Sequence, residues 1–255
     1  MWRRRDGADG PQLPLIIGHR GASAIETENT VGAFARARAD GADGVELDVM
    51  TCATGELVVF HDDDLSRLAG RPELIAETPF SVLRAATLAS GARIPTLDEV
   101  FEACGPDMLV NVELKIPSRG RTALAPLADA AAAAVERAGA ERRVLVSSFH
   151  PWAVRAWMRR LPAVPAGLLF EREAPLPLRR AWAAPWLRPY ALNPEFVLCS
   201  AARVASWHRR GYMVNVWTVD DPAKLAACRR MGVDGIITND PARARAALQR
   251  EAGPR

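Results

Sequence analysis

Short apolar and β-branched runs recur along the chain, each followed by an amphipathic stretch rich in alanine and arginine. That alternation predicts a parallel α/β fold. The strand candidates are Leu15–Gly18, Gly44–Val49, Leu57–Phe60, Met108–Leu114, Arg143–Ser148, Gly167–Phe170, Met213–Val219 and Gly235–Thr238. Several are apolar at consecutive positions, as expected of strands covered on both faces. Tyr190–Asn193 is a further candidate, which leaves the sixth and seventh strands open. The helical period selects Val31–Ala39, Leu97–Ala103, Ala123–Ala138, Pro151–Arg160, Ala201–Arg210, Pro222–Met231 and Ala242–Gln249. Asp221 ahead of Pro222 reads as an N-cap, and Gly211 and Gly232 stand where helices end on a left-handed residue.

Two places break the regular pattern. Only about half a dozen residues separate Val49 from Leu57, too few for the crossover of roughly a dozen that parallel neighbours need, so a hairpin or broken unit is expected there. Between His61 and Thr96 the only helical pattern is the short Phe80–Ala86, and a connection of that length in a compact domain is often functional. With 255 residues the chain has the usual size of one eight-stranded α/β barrel. The expectation is therefore an α/β chain forming a (β/α)8 TIM barrel over residues 13–250. It is irregular around strands 2–3 and carries a small insertion at about 62–95, after the third strand. Residues 1–12 are expected to be a disordered tail.

Charge and cysteine content narrow the functional classes. The net charge of +3 comes from near balance, and the basic residues are scattered pairs such as Arg159/Arg160 and Arg229/Arg230, which read as solvated helix faces and not as a nucleic-acid stripe. Cys52, Cys104, Cys199 and Cys228 form no closely spaced pair, so neither a zinc knuckle nor a redox dithiol is indicated. A basic start, Met1-Trp2-Arg3-Arg4-Arg5, is followed by polar residues where a signal peptide needs an apolar core, and no stretch approaches the roughly 20 apolar residues of a membrane span. A cytoplasmic protein without stable membrane insertion is expected. Oligomeric state is open.

Candidate chemistry follows from the two-residue period of strands. Glu46 and Asp48 share one face of Gly44–Val49 while Val45, Leu47 and Val49 take the other. Asn111, Glu113 and Lys115 repeat the arrangement opposite Val112 and Leu114. If the polar faces point to the barrel axis, three carboxylates converge where repulsion and desolvation both oppose charge, and a hard divalent cation would relieve them. Oxygen-only ligands favour Mg2+ or Ca2+ over Zn2+. Alternation alone leaves open that these acids face solvent instead. His19 and His61 each follow a strand, where barrels carry catalytic groups, and imidazole titrates near neutral pH. Arg20 and Lys115 either bind a phosphate or neutralise the acids.

His19-Arg20-Gly21-Ala22, Glu28-Asn29-Thr30, Glu46-Leu47-Asp48-Val49, Val59-Phe60-His61-Asp62-Asp63, Ile94-Pro95-Thr96-Leu97, Glu113-Leu114-Lys115, Ser147-Ser148-Phe149, Trp217-Thr218-Val219 and Gly232 to Thr238 run in one order. In this the chain resembles the bacterial glycerophosphodiester phosphodiesterases, from about His19 to Pro241. The resemblance implies a barrel with an insertion after His61 and cation-dependent hydrolysis of a small glycerophosphodiester to glycerol 3-phosphate and an alcohol. It implies His19 and His61 as the acid/base pair, Glu46, Asp48 and Glu113 as metal ligands, Arg20 and Lys115 as phosphate contacts, and Trp217 beside the glycerol. His150 is outside the family pattern and reads as structural or part of the rim. Thr27 replaces the proline usual before Glu-Asn-Thr, which removes a restraint on the loop after Arg20. Two other readings remain: a lysophospholipid substrate, which an apolar rim would favour, and a silent barrel that only binds a phosphorylated metabolite.

Overall fold

The computed structural model describes residues 1–2, 13–117 and 123–251. Nine strands form one sheet: β1 (Leu15–His19), β2 (Gly44–Thr51), β3 (Leu57–Val59), β4 (Leu109–Leu114), β5 (Val144–Ser148), β6 (Ala166–Phe170), β7 (Ala191–Pro194), β8 (Met213–Val216) and β9 (Gly235–Thr238). Eight of them are parallel and follow the order β1-β9-β8-β7-β6-β5-β4-β2, and the pairing of β1 with β2 closes the ring. The fold is a (β/α)8 TIM barrel surrounded by helices.

Its membership differs from the sequence expectation at two strands. Leu57–Val59 is not a barrel stave: β3 turns back and pairs antiparallel with β2, Val49 opposite Val59 and Met50 opposite Val58. The eighth stave is β7, Ala191–Pro194, at the position left open beside Tyr190. With its turn at residues 52–56, the hairpin spans too few residues to cross over a sheet face, so only antiparallel return is available.

Side-chain parity sorts the two faces of every stave. Val45, Leu47 and Val49 of β2, Val110, Val112 and Leu114 of β4, and Val144 and Val146 of β5 join one apolar cluster with helix residues Phe34, Val100, Phe101, Leu127, Val135 and Trp157. Residues of the other parity therefore face the barrel interior. Read upward along the staves, the interior changes character. Ile17, Leu109, Leu145, Ala191, Met213 and Ile237 form an apolar layer at the N-terminal end. Buried Asn111, Ser147, Asn193 and Asn215 come two residues later, and Glu46, Asp48 and Glu113 close the C-terminal end.

Trp2 seals the apolar end. It is buried against that layer, its Nε1 donates to the Arg143 carbonyl at 2.9 Å, and its own carbonyl accepts from Tyr190 Oη at 3.0 Å. At this residue the expected tail is instead packed, while residues 3–12 lie outside the described residues.

The segment after His61 holds short helices at Ser66–Ala69 and Phe80–Ala85 with a single 3-10 turn at Ile75–Glu77. Leu65, Ile75 and Leu83 pack with Met50, Val58 and Phe60 of the β2–β3 hairpin into a separate apolar cluster. Those leucines and the isoleucine thus anchor the insertion and contribute no apolar rim. The helix Leu97–Cys104 starts at a capping box in which Thr96 accepts from Glu99 N and Glu99 accepts from Thr96 N.

Candidate active site

Register brings the carboxylates together. Glu46 pairs with Asn111 and Asp48 with Glu113 across adjacent strands, so β2 and β4 present their acids side by side to the interior. One ligand oxygen from each of Glu46, Asp48 and Glu113 lies within 4.8 Å of the others, and the three residues are only 4%, 1% and 7% exposed. Burial, then the charges of Asp48 and Glu113, push Glu46 well above the usual carboxylate range. Burial pushes Glu113 up to about 7, with Lys115 opposing and Asp48 adding to the rise. Burial would raise Asp48 as well, but Lys115, Arg20 and His61 outweigh it and hold Asp48 low, helped by the Asn29 side chain donating at 2.9 Å.

Such a cluster is electrostatically unfavourable when empty of cations, because three acids share one dry space with insufficient positive charge. Lys115 Nζ stands 3.5 Å from both Asp48 and Glu113 and supplies part of it. A donor set of carboxylate oxygens alone fits a hard divalent cation, and these residues can coordinate one.

Arg20 sits at the end of β1 with φ 52, a left-handed conformation uncommon for a residue with a side chain. The turn that follows requires Gly21 at φ 87, since a Cβ there would meet the backbone of Ala33 at 2.6 Å. The strained turn lets Arg20 N donate to Glu46 at 3.2 Å while its guanidinium binds Glu28 at 2.8 Å. Arg20 Nε is buried, 3.3 Å from Asp48 but without hydrogen-bond geometry to it. The loop lacking the usual proline is held by polar contacts: Thr30 Oγ1 donates to Thr27 O at 2.6 Å, and Asn29 N donates to Arg20 O at 3.0 Å.

The two histidines arrive by different routes. His19 ends β1, with Nε2 4.0 Å from Glu46. Its Nδ1 faces Asn239 Oδ1 at 2.7 Å. Asn239 Nδ2 is committed to Asp220 at 2.6 Å, and Asp220 also accepts from Asn239 N and Thr238 Oγ1. The amide is therefore fixed with its oxygen toward His19, which must carry its proton on Nδ1 and present Nε2 to the site. His61 follows the hairpin strand β3 and not a barrel stave; Phe60 N donates to Asp48 O at 3.1 Å, so the returning chain places His61 beside Asp48. His61 Nδ1 bonds Asp62 at 2.7 Å, and Asp62 in turn holds Arg67 of the insertion, which reaches across to Glu28. Burial lowers both imidazoles below their ordinary value: Arg20 adds to the effect at His19, while at His61 the charge of Asp48 partly counters it.

A small cavity adjoins the acids, lined by His19, Glu46, Glu113, Phe149, Leu169, Trp217 and Ile237. Trp217 packs edge-on against Phe149 at 5.4 Å and donates Nε1 to Asn193 O at 2.8 Å, which fixes the indole against the wall. His150 lies just past β5, its backbone N bonded to Ser148 Oγ and its Nδ1 buried without a partner.

All eight residues singled out from the sequence therefore fall at the C-terminal end of the barrel or on the loops above it. Asn239, Asp220, Asp62, Arg67 and Phe149 were given no role from the sequence. Asn239 directly follows β9, so the strand-end argument that selected His19 selects it equally, whereas nothing local marks Arg67 or Asp220.

Residues 19–243 match the model of the glycerophosphoryl diester phosphodiesterase family. A glycerophosphodiester phosphodiesterase of Caldanaerobacter subterraneus is 33% identical over 235 residues, covering 89% of this chain and 94% of that protein. An Oleispira antarctica phosphodiesterase, solved in complex with the product sn-glycerol-3-phosphate, superposes with a TM-score of 0.84 at 26% identity over 93% of this chain and 97% of its own. A glycerophosphodiester phosphodiesterase of Thermotoga maritima is similar at 30% identity and TM-score 0.72, over 91% and 96% of the two chains.

Proposed function

The chain belongs to the glycerophosphoryl diester phosphodiesterase family and is a phosphoric diester hydrolase, and from that premise we propose that it cleaves glycerophosphodiesters to glycerol 3-phosphate and an alcohol with His19 and His61 as the acid/base pair. The observation that carries this reading is the meeting of three buried carboxylates with two imidazoles and two cationic side chains, beside a small cavity that His19, Glu46 and Glu113 line.

Each group has a role consistent with its surroundings. Glu46, Asp48 and Glu113 would hold the cation, Mg2+ or Ca2+, which would supply positive charge to balance the phosphate. The partnerless Nε–H of Arg20 and the ammonium of Lys115 point charge at the remaining equatorial oxygens. One histidine accepts through Nε2 the proton of the attacking oxygen, from water or from the neighbouring glycerol hydroxyl; in the second case the alcohol leaves from a cyclic phosphate, which water then opens to glycerol 3-phosphate. The other delivers a proton to the departing alkoxide. Asn239 and Asp62 keep the rings in the required tautomer. Trp217 and Phe149 form the wall beside the glycerol.

A second substrate reading rests on a specific feature. A small apolar pocket, lined in part by Leu168, Leu178 and Trp182, shares Phe149 and Leu169 with the catalytic cavity and offers apolar contact beside the site, which favours a lysophospholipid. One experiment separates these readings: purified protein is given glycerophosphocholine, glycerophosphoethanolamine, glycerophosphoglycerol and lysophosphatidylcholine, with and without chelator, and products are identified. Chelator-sensitive release of glycerol 3-phosphate from the first three is expected. Preferential release of lysophosphatidic acid would favour the second reading, and no turnover of any substrate with added Mg2+ or Ca2+ would reject both.

A further inference from the structure

Trp152, Trp182 and Trp186 are 52%, 53% and 51% exposed, and all three fall in residues 149–190. That segment has seven arginines against Glu171 and Glu173, a net of +5, of which Arg160 is paired with Asp129 and Glu136 outside the segment; the whole chain is +3. Trp152 and Trp186 meet edge to face at 5.3 Å, and Arg155 stacks on Trp186 at 4.4 Å. Trp182 borders the apolar cavity that adjoins the catalytic one, and Leu176 nearby in sequence is also exposed. Arg179 and Arg180 join no ion pair among the described residues. Indoles clustered in solvent beside unpaired cations mark an interaction surface.

We propose that this face docks the protein on an anionic lipid surface beside the mouth of the catalytic cavity. An indole is amphipathic and settles at headgroup depth, with its ring among the upper acyl segments and its N–H toward water. The arginines meet lipid phosphates, and each basic side chain near such a surface adds to the attraction. Single-stranded nucleic acid fits less well, because it needs free ring faces, whereas Trp186 has its face covered by Arg155 and its edge set against Trp152. Among the described residues no helix is long and apolar enough to cross a membrane, so the contact is peripheral. This docking does not depend on the proposed chemistry, and its test reads binding alone.

The test is flotation of the full chain with vesicles of equal phosphatidylcholine and phosphatidylglycerol, and with phosphatidylcholine alone. Binding is expected only to the anionic vesicles and should fall at least about tenfold on raising salt to about 0.5 M. The double variants W152S/W186S and R179E/R180E should each lower the partition coefficient about tenfold or more, with circular dichroism and melting temperature unchanged. Failure of the wild-type chain to float with anionic vesicles would overturn the proposal. So would equal, salt-insensitive binding to both vesicle types, or undiminished binding in both variants. A concentration-dependent dimer that W152S/W186S converts to monomer, without vesicle binding, would assign the face to a second copy of the chain instead.

Discussion

At the N-terminal end of the barrel interior, Ile17, Leu109, Leu145 and Met213 pack beneath Trp2, while two to four residues further along the same strands stand His19, Glu113, Ser147 and Asn215. At the apolar end, removing side chains from water is itself the driving force, and Trp2 adds a large buried surface with its one polar atom satisfied. At the charged end the same dryness works against the side chains, raising Glu46 and Glu113 and pressing the imidazoles down. Barrel closure thus stabilises one end and loads the other with groups that are stable only with a partner. Stability and chemistry are separable along a single strand, and substitutions at the two ends should have opposite signatures.

The largest expected effect lies at the charged end. His19→Ala or His61→Ala should reduce turnover by at least about 100-fold with little change in melting temperature; steady-state rates near wild type for either variant would remove that residue from the mechanism. Trp2→Ala should do the reverse. A loss of about 3 kcal/mol in denaturant unfolding is expected, with kcat per folded molecule unchanged, and an unaltered unfolding midpoint would show that the seal contributes nothing.

Glu113 is raised from the ordinary carboxylate value to about 7 in the folded, cation-free chain, so the folded state binds the extra proton between about pH 4.5 and 7. Its contribution is present below the unfolded pKa and is lost as pH climbs through the folded one. Cation-free protein should therefore lose roughly 3 kcal/mol across that window, and E113Q should flatten the loss; chemical denaturation at a series of pH values measures both. A smaller effect is expected from Asn239→Ala, which frees the His19 ring without removing it. A fall of about tenfold in kcat with KM nearly constant is predicted, and an equal loss confined to KM would place Asn239 in substrate binding instead.

What the sequence made legible depends on how local each signal is. The alternation in Gly44–Val49 and Asn111–Lys115 places the acids on one face, but the in-or-out choice needs the helices, since Val45, Leu47 and Val112 are what the outer layer covers. The short span between Val49 and Leu57 signals a hairpin, yet its consequence, His61 delivered to Asp48 from above the ring, depends on antiparallel register. Ala191–Pro194 is only four residues long and ends in proline, too weak a pattern to outrank the apolar hairpin strand as a stave. Trp2 stands one residue from the start and beside three arginines, with no periodicity to reveal the long-range bond to Arg143. Arg67 joins Glu28 across 39 positions in sequence, a contact that only the folded loop creates.

If Glu46, Asp48 and Glu113 form one cation site, its occupancy must displace the protons that burial holds there. Calorimetric titration of Mg2+ and Ca2+ into the cation-free chain at about pH 6.5, in two buffers of different ionisation enthalpy, measures binding and proton release together. Saturable binding of at least one cation with net proton release is expected, with loss of both the affinity and the proton release in D48N and E113Q. Buffer-independent heats, or variants that bind as tightly as the wild type, would contradict it.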